Sequence, residues 1–302
     1  MPTPHYLRLL VLAPALVSSV FAANALTGKQ TEAVVTLAKG NYTLDGRYTV
    51  PAGMKLELTP GVVITASKGA SIYVEGQLVV SGEEKNPVIF KGTKAAGIKV
   101  ADAGKATVTG LQVTGADVGL EVGGSIDKLS ASVFAKNGKG AKLDGKGTVA
   151  VDNCLFIENT GDGLRFTGVK GTISNCSFLK NKEFGVTVGE SNPKFDHCLF
   201  SDNGGAGIEQ SNASSATSMN GTECSFEGKG LALTSGMSHG SLEFTKCYWG
   251  DKGTSLLKSK GDKAVLPNVK DARQGGGSIK VWWADFLSAA PKPCGATVVS
   301  KL

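Results

Sequence analysis

The chain of 302 residues contains 41 glycines, five tyrosines and three tryptophans, and its formal net charge is +6. This composition argues against a disordered chain, because Val, Ile, Leu and Phe are spread throughout, and it is typical of a soluble protein built from short strands and turns. The absence of an aromatic-interleaved basic stripe or base-reading motif argues against nucleic acid as a partner.

The first residues have the form of an export signal. Arg8 precedes an apolar stretch from about Leu9 to Phe21, and Ala23-Asn24-Ala25 has the small-x-small form of a cleavage site. The alternative is a membrane anchor, but the stretch is shorter than the roughly 20 residues that a spanning helix needs. No later segment could span a bilayer as a helix. We predict a signal peptide over 1–25 and a secreted, periplasmic or cell-surface protein.

The next part of the chain alternates apolar and polar residues between short breaks. The stretch "YTVPAGMKLELTPGVVITASKGASIYVEGQLVVSGEEKNPVIFKG" is interrupted at Pro-Ala-Gly, Pro-Gly and Gly. Alternation with a period of two, bounded by turn residues, predicts short strands.

An internal repeat follows. The strings "DNCLFIENTGDG", "SNCSFLKNKEFG" and "DHCLFSDNGGAG" begin at residues 152, 174 and 196, so that Cys, Phe, Asn and Gly recur every 22 residues. Extending this register predicts two inward series, Ser132, Cys154, Cys176, Cys198, Cys224 and Cys247 with Phe134, Phe156, Phe178, Phe200, Phe226 and Trp249.

About 22 residues make one coil of three short strands, and parallel stacking of coils satisfies the backbone hydrogen bonds at a spacing of ~4.8 Å. The sequence therefore predicts an all-β fold, a right-handed parallel β-helix over 26–250. Identical residues lie above one another, and we expect an asparagine ladder at a bend that tolerates left-handed backbone. Its members are Asn137, Asn159, Asn181 and Asn203.

The stacked cysteines raise the question of disulfides, which an oxidising compartment would permit. Parallel in-register side chains keep their Cβ atoms about as far apart as the coils, whereas a disulfide requires ~3.8 Å. We therefore predict buried free thiols that act as small core residues. Cys294 lies outside the ladder and has no predicted partner.

Together with the repeats, the opening "VPAGMKLELTPGVVI" and the later "CYWG" resemble the right-handed parallel β-helix proteins of the pectin-lyase-like fold. The resemblance covers roughly residues 34–290. It implies the fold but no single activity, since that family includes polysaccharide lyases, glycoside hydrolases, tailspikes, adhesins and surface proteins.

The repeat ends after Trp249-Gly250. We expect a long loop over 251–277, then a closing strand within "SIKVWWADFL" and a basic tail, so that 251–302 forms one unit. An open β-helix end exposes strand edges and core side chains, and natural solenoids cover them. We assign this capping role to Trp282, Trp283 and Phe286, with a ligand platform as the alternative.

One outward row of side chains is the candidate binding wall. Arg165 lies between inward Leu164 and Phe166, and its predicted equivalents in other coils are Glu121, Lys142, Thr187, Glu209 and Ala232. Glu121 and Glu209 are four coils apart, or ~19 Å, too far to share one calcium ion as a lyase of this fold would need. We predict no metal and no cofactor. A second row, of alternating sign, is assigned to pairing between coils: Lys136, Glu158, Lys180 and Asp202.

The candidate catalytic residues are Asp152 and Asp196, at one coil position with Ser174 between them. Their expected separation of ~9.6 Å is near the range of inverting glycosidases, about 6.5–9.5 Å. The alternative is structural, because Asp and Ser at turns often bond the local backbone. His197, next to Asp196, is expected to be solvated.

Three functions follow from these observations. The leading hypothesis is an exported, non-enzymatic protein that binds an acidic polysaccharide or another envelope polymer on the wall containing Lys142 and Arg165. The alternatives are a polysaccharide hydrolase or lyase and a structural surface or assembly protein. The sequence leaves the oligomeric state open.

Overall fold

A computed structural model describes residues 25–211, 217–235, 240–270 and 280–301. The predicted signal peptide lies outside these residues, except Ala25, where the first strand begins. Every strand pairing is parallel, and each strand pairs with strands of adjacent coils. The strands are β1 (Ala25–Lys29), β2 (Val34–Leu37), β3 (Gly40–Val50), β4 (Lys55–Leu58), β5 (Val62–Ala66), β6 (Ser71–Val74), β7 (Gln77–Ser81), β8 (Val88–Val100), β9 (Lys105–Thr109), β10 (Leu111–Val122), β11 (Ser125–Ser130), β12 (Val133–Ala135), β13 (Lys139–Leu143), β14 (Thr148–Asp152), β15 (Leu155–Ile157), β16 (Leu164–Thr167), β17 (Lys170–Ser174), β18 (Ser177–Leu179), β19 (Val186–Gly189), β20 (Lys194–Asp196), β21 (Leu199–Ser201), β22 (Ala206–Gln210), β23 (Thr217–Thr222), β24 (Ser225–Glu227), β25 (Leu231–Ser235), β26 (Gly240–Thr245), β27 (Val269–Lys270) and β28 (Val281–Ala284).

The stacked strands form a solenoid with three faces. Face 1 contains β5, β12, β15, β18, β21 and β24, and face 2 contains β6, β13, β16, β19, β22, β25 and β27. The strands β1, β3, β8 and β10 bend from face 1 to face 2, which joins these faces into one sheet of 17 strands among the described residues. Face 3 is a separate sheet of 11 strands: β2, β4, β7, β9, β11, β14, β17, β20, β23, β26 and β28.

The predicted phenylalanine series stacks inside the solenoid. Phe134, Phe156 and Phe178 are fully buried, and their ring centroids lie 5.2 and 5.0 Å apart in neighbouring coils. Phe226 stacks in turn on Trp249 at 4.9 Å. A separation near one coil spacing places each ring on the next, so one residue type serves every coil.

The predicted thiol ladder is also confirmed. All six cysteines are free, and the five in the repeat are buried. Each repeat thiol approaches the carbonyl oxygen two residues earlier, as in Cys176 Sγ to Ser174 O at 3.0 Å. Ser132 takes the same place, and its hydroxyl donates to Ser130 O at 2.7 Å.

The asparagine ladder is present and buried. Asn159 Nδ2 donates to Asn181 Oδ1 at 2.8 Å, and Asn181 Nδ2 donates to Asn203 Oδ1 at 2.9 Å. Asn181 Oδ1 also accepts the backbone N–H of Asn159 at 3.2 Å. The ladder therefore bonds each coil to the next through side chains as well as strands.

We expected left-handed backbone at the ladder asparagines. The structure places it at the residue before each of them instead. Lys136, Glu158, Lys180 and Asp202 have φ between 54° and 56°. No ion pair joins these four residues in the described part of the chain, although the charge of Lys180 adds to the hydrogen bonds from Lys229 N–H and Ser201 that lower the pKa of Asp202. Their assignment to pairing between coils stays a prediction, and the property that they share in the structure is the left-handed turn. A second left-handed series precedes the cysteine place and consists of Ala131, Asn153, Asn175, His197, Glu223, Lys246 and Asp285.

The solenoid end differs from the sequence expectation in one respect. Part of the predicted loop is a helix, α1 (Gly250–Lys260), followed by a 3-10 turn, Gly261–Lys263. The helix buries Gly253, Thr254 and Leu257, a stripe with a single large apolar side chain, so no helical period was visible. Residues 271–277 of that loop lie outside the described residues.

The predicted closing strand is confirmed. β28 pairs with β26 and extends face 3 past the last coil. Trp283 is buried, with its ring centroid 5.9 Å from that of Trp249, as the capping role requires. Trp282 instead is half exposed beneath Lys280. None of the helices among the described residues has the length and apolar character to cross a membrane.

Candidate functional site

The candidate wall is a continuous outward row on face 2, which we call the outward row. The pairing register places Glu121, Lys142, Arg165, Thr187 and Glu209 in neighbouring coils, as predicted. The whole row reads Lys29, Thr49, Tyr73, Lys99, Glu121, Lys142, Arg165, Thr187, Glu209, Thr234 and Lys270.

One predicted member of this row is wrong. Thr234 pairs with Glu209, whereas Ala232 is buried. The inward residues that flank the row in this coil are Leu233 and Ser235. A polar inward residue broke the alternation on which the prediction depended.

The charges at the centre of the outward row neutralise one another. Glu121 Oε1 lies 3.3 Å from Lys99 Nζ and 3.2 Å from Lys142 Nζ, and Lys142 Nζ lies 2.6 Å from Asp144 Oδ2. Burial acts to raise the pKa of Glu121, but the hydrogen bonds and charges of Lys142 and Lys99 outweigh it and lower the pKa. The hydrogen bond to Asp144, opposed by burial, raises the pKa of Lys142. Lys142 is therefore already engaged within the fold.

Arg165 differs from its neighbour Lys142. It is half-buried on β16, between Lys142 and Thr187 in the stack. Within the described ranges it has neither a hydrogen bond nor an ion pair. Its charge does act on Glu209, whose pKa it lowers against the larger effect of burial. A guanidinium group with five donors and no hydrogen bond to the described residues can still bind a carboxylate or another anion from outside the protein.

A second positively charged site, which was not predicted, lies nearer the first coils. Arg47, Tyr73, Lys99 and Glu121 line a cleft of about 290 Å³ on face 2. Arg47 Cζ lies 5.1 Å from the centroid of the Tyr73 ring, which holds the guanidinium over an aromatic surface. The similar endings "RYTV", "SIYV" and "GIKV" are a signal that could have extended the register to these coils.

Two carboxylates lie close to each other in the later coils, at Glu209 of the outward row and at Asp162. Burial raises the pKa of Glu209, and the neighbouring charge of Asp162 adds to this effect. Asp162 is itself buried, with Oδ2 at 3.8 Å from Lys139 Nζ, and its Oδ1 has no hydrogen-bond partner among the described residues. Sequence reasoning missed Asp162, because it lies in a turn next to a glycine.

Asp152 and Asp196 lie on face 3, in one row with Ser174 between them, as predicted. Asp152 Oδ1 accepts hydrogen bonds from Ser174 Oγ and Asn175 Nδ2, both at 2.8 Å. These side-chain contacts favour a structural role for Asp152. The register keeps the two aspartates two coil spacings apart, or ~9.6 Å, and a catalytic role for them stays a prediction.

His197 is not simply solvated. Its Nδ1 lies 2.9 Å from Asp196 Oδ1, and its Nε2 lies 2.5 Å from Glu223 Oε2. Both ring nitrogens therefore face carboxylate oxygens, and Asp196 is engaged locally. Asp196 and Glu223 belong to adjacent coils, so His197 links two coils.

A cavity lies between the last coils and α1. It has a volume of about 690 Å³, and Asp202, Glu227, Tyr248 and Asp251 are among its lining residues. The carboxylates are internally bonded: Ser225 Oγ donates to Glu227 at 2.6 Å, and Tyr248 donates to Asp251, which raises the pKa of Tyr248 to about 12. The described ranges contain no group of three His, Cys, Asp or Glu side chains placed to hold a metal ion.

The fold is matched by two protein-family models. Residues 80–224 match the model described as a right handed beta helix region, and residues 28–129 match a pectate-lyase like beta helix domain. The chain belongs to the parallel β-helix proteins. The family description agrees with the predicted right hand of this β-helix protein, and the hand itself stays a prediction.

No curated protein matches the β-helix chain at a significant level. Two solved structures are similar to it: the catalytic domain of a GH87 alpha-1,3-glucanase in complex with nigerose, and a substituted form of that domain with the same ligand. Both are 12% identical, with TM-scores of 0.20 and 0.21, and the match covers 89% of this chain and 64% of each of theirs. At such low TM-scores, these matches support neither a shared activity nor a shared ligand.

Proposed function

We propose that this β-helix protein binds an acidic polysaccharide, or another anionic envelope polymer, along face 2. One observation favours this function above the others: Arg47 and Arg165 present guanidinium groups on the same face, and neither forms a hydrogen bond or ion pair with the described residues. Thr49, beside Arg47, and Arg165 are five coils apart in the outward row, which corresponds to ~24 Å. Only an extended ligand could contact both.

The regular spacing of face 2 suits a polymer. A stack of parallel strands offers side chains at a regular spacing, and the cleft at Tyr73 adds an aromatic surface beside Arg47 and Lys99. Lys142 contributes less than expected, because Glu121 and Asp144 already neutralise it. The binding function is placed outside the cytoplasm, in line with the export signal predicted over 1–25.

Binding is tested by titrating the full chain with polygalacturonate, with alginate and with a neutral dextran, at low and high salt. We expect only the acidic polymers to bind. Salt should weaken their binding, because it screens exposed charges. Arg165→Gln and Arg47→Gln should each lower the affinity about tenfold, the value of one charge-assisted contact. Lys142→Gln is the matched control and should change it much less. Equal binding of dextran, or unchanged polymer affinity of both arginine variants, would exclude face 2 as the binding surface.

A second candidate function, cleavage of a glycan, is favoured by the pair Glu209 and Asp162. A carboxyl group with a raised pKa near a second carboxylate is the usual arrangement of a general acid and its partner. If the protein cleaves glycans, Glu209→Gln should abolish the release of reducing ends or unsaturated products, and Asp152→Asn and Asp196→Asn should not. An absence of products from a broad glycan panel removes this candidate.

A further inference from the structure

The segment 294–301 runs back along face 1, across the coils rather than within one. We call it the arm. Its backbone N–H groups donate to acceptors in four different coils, which are His197 O for Gly295 (2.8 Å), Ser177 Oγ for Ala296 (2.8 Å), Asn153 Oδ1 for Thr297 (2.7 Å) and Gln112 Oε1 for Lys301 (2.8 Å). Face 1 therefore holds the arm largely through its main chain.

The length of the arm matches the pitch of the solenoid. Seven residue steps separate Cys294 from Lys301, and an extended chain covers about 23–25 Å in that number. Cys294 lies at the coils of Cys198 and Glu223, and Lys301 lies at the coil of Gln112. Four to five coil spacings correspond to ~19–24 Å. An extended strand can thus place its polar groups against one coil after another.

One side chain of the arm is buried in an apolar groove. Val298 is 7% exposed and packs with Val133, Ala135, Leu155 and Ile157, whose side chains lie on the outer side of face 1. The next residue, Val299, is 59% exposed, although its carbonyl accepts a hydrogen bond from Gln112 at 3.1 Å. The groove therefore recognises an extended main chain and one apolar side chain.

The link between the closing strand and the arm is weakly held. Leu287 N donates to Cys247 O at 3.0 Å, and the next residue of the described chain that is hydrogen-bonded to the solenoid is Cys294. Within the described part of the chain, residues 288–293 make no hydrogen bond. Six extended residues cover ~20 Å, enough for the arm to leave its own groove while β28 stays paired.

We propose that the arm is transferable, and that face 1 is an interaction surface whose partner is the arm of a second copy of this chain. Every copy carries both halves of the contact, and exchange of an identical element between copies preserves all contacts. The arm stays in its own groove at low concentration, because the link gives it an effective concentration of about 1 mM there. This surface is separate from face 2 and does not depend on polymer binding.

The test uses two full-length variants that cannot close their own contact. Val298→Asp disables the arm and leaves a free groove, and Ile157→Asp disables the groove and leaves a free arm. Mixed at about 1 mM total, near the effective concentration of the link, they should form a dimer by light scattering, with one of the two grooves filled. Each variant alone should be monomeric. Val299→Asp is the matched control for the arm, since this side chain is exposed, and its mixture with Ile157→Asp should contain clearly less dimer, because its intact arm competes for its own groove.

A mixture that stays monomeric, with both variants folded by circular dichroism, overturns the proposal. If Ile157→Asp does not fold, Asn153→Gly replaces it, because glycine adopts the φ of 49° at this position and removes only the acceptor of the arm. In the unmixed Asn153→Gly variant, the backbone amides of Thr297 and Val298 should exchange with solvent at least tenfold faster than in the unsubstituted protein. Unchanged protection of these amides would show that the arm contact is not the one described, and would equally overturn the proposal.

Discussion

Asn159 donates a side-chain hydrogen bond to Asn181 in the next coil, at 2.8 Å, and both residues are buried. Asn181 Oδ1 serves both the side chain and the backbone N–H of Asn159, while Asn181 Nδ2 also donates to Phe156 O at 3.1 Å. One amide thus connects two coils. A buried amide of this kind stabilises the stack only while all its partners are present.

Replacing Asn181 by alanine should destabilise the protein strongly. The change leaves the N–H of Asn159 and the carbonyl of Phe156 buried without this partner, at a cost of about 1–3 kcal/mol for each group. We expect the midpoint of urea unfolding to fall clearly. Asn220→Ala is the control, because Asn220 is exposed on β23. Equal midpoints for the two variants would contradict the ladder.

Gly185→Ala tests the packing that makes glycine recur in the repeat. A Cβ atom there would lie 2.5 Å from Gly207 O and 3.1 Å from Asn203 Nδ2. Since backbone cannot move aside cheaply, we expect a loss of about 2 kcal/mol or more, measured by urea unfolding. Gly40→Ala is the matched control, with its closest contact at an ordinary 3.7 Å. A variant as stable as Gly40→Ala would mean that the coils are more loosely packed.

The repeat made much of the fold predictable. Because neighbouring coils place identical residues over one another, the spacing of Cys176, Phe178 and Asn181 determined the ladders without any knowledge of coordinates. The same logic failed where one side chain departed from the pattern. Ser235 faces inward, so counting by apolarity placed Ala232, rather than Thr234, on the outward row.

The rest could not be predicted, because it depends on contacts that do not recur. Helix α1 buries a single leucine, and the arm contacts face 1 through backbone groups that leave no side-chain pattern. The candidate site was likewise predictable only in part. The register placed Arg165 on face 2, but only the coordinates showed that Lys142 is neutralised by Glu121 and Asp144.

Cys176 and Cys294 should be unreactive in the folded protein. Burial raises the pKa of Cys176 well above its ordinary value, and burial also raises the pKa of Cys294 to about 12. Little thiolate is then present at pH 8, and thiolate is the nucleophile. Alkylation followed by mass spectrometry should modify Cys176 only on unfolding.

Cys294 should become accessible earlier, when the arm leaves face 1. In Val298→Asp we expect faster alkylation of Cys294 and no change at Cys176, because the arm lies outside the core. In Val299→Asp both rates should equal those of the unsubstituted protein. Rapid alkylation of Cys176 in the native protein would refute its burial in the ladder.

Two glutamates of the outward row should affect stability with opposite signs. The raised pKa of Glu209 means that its ionisation opposes folding, so its contribution is lost as the pH rises through that pKa. The pKa of Glu121 is lowered by Lys142 and Lys99 against the effect of burial, so its contribution is present at neutral pH and is lost as the pH falls through that pKa.

Glu209→Gln should therefore raise the urea midpoint at pH 7, and Glu121→Gln should lower it. Each change should stay below about 1 kcal/mol, because solvent screens partly exposed charges. At pH 3, where both carboxyl groups are largely protonated in the unfolded chain, the gain from Glu209→Gln should disappear, and the loss from Glu121→Gln should shrink. Each variant is the control for the other, since both remove one carboxylate from the same row. Shifts of the same sign at pH 7 would mean that net charge, rather than the neighbours of each glutamate, determines the effect.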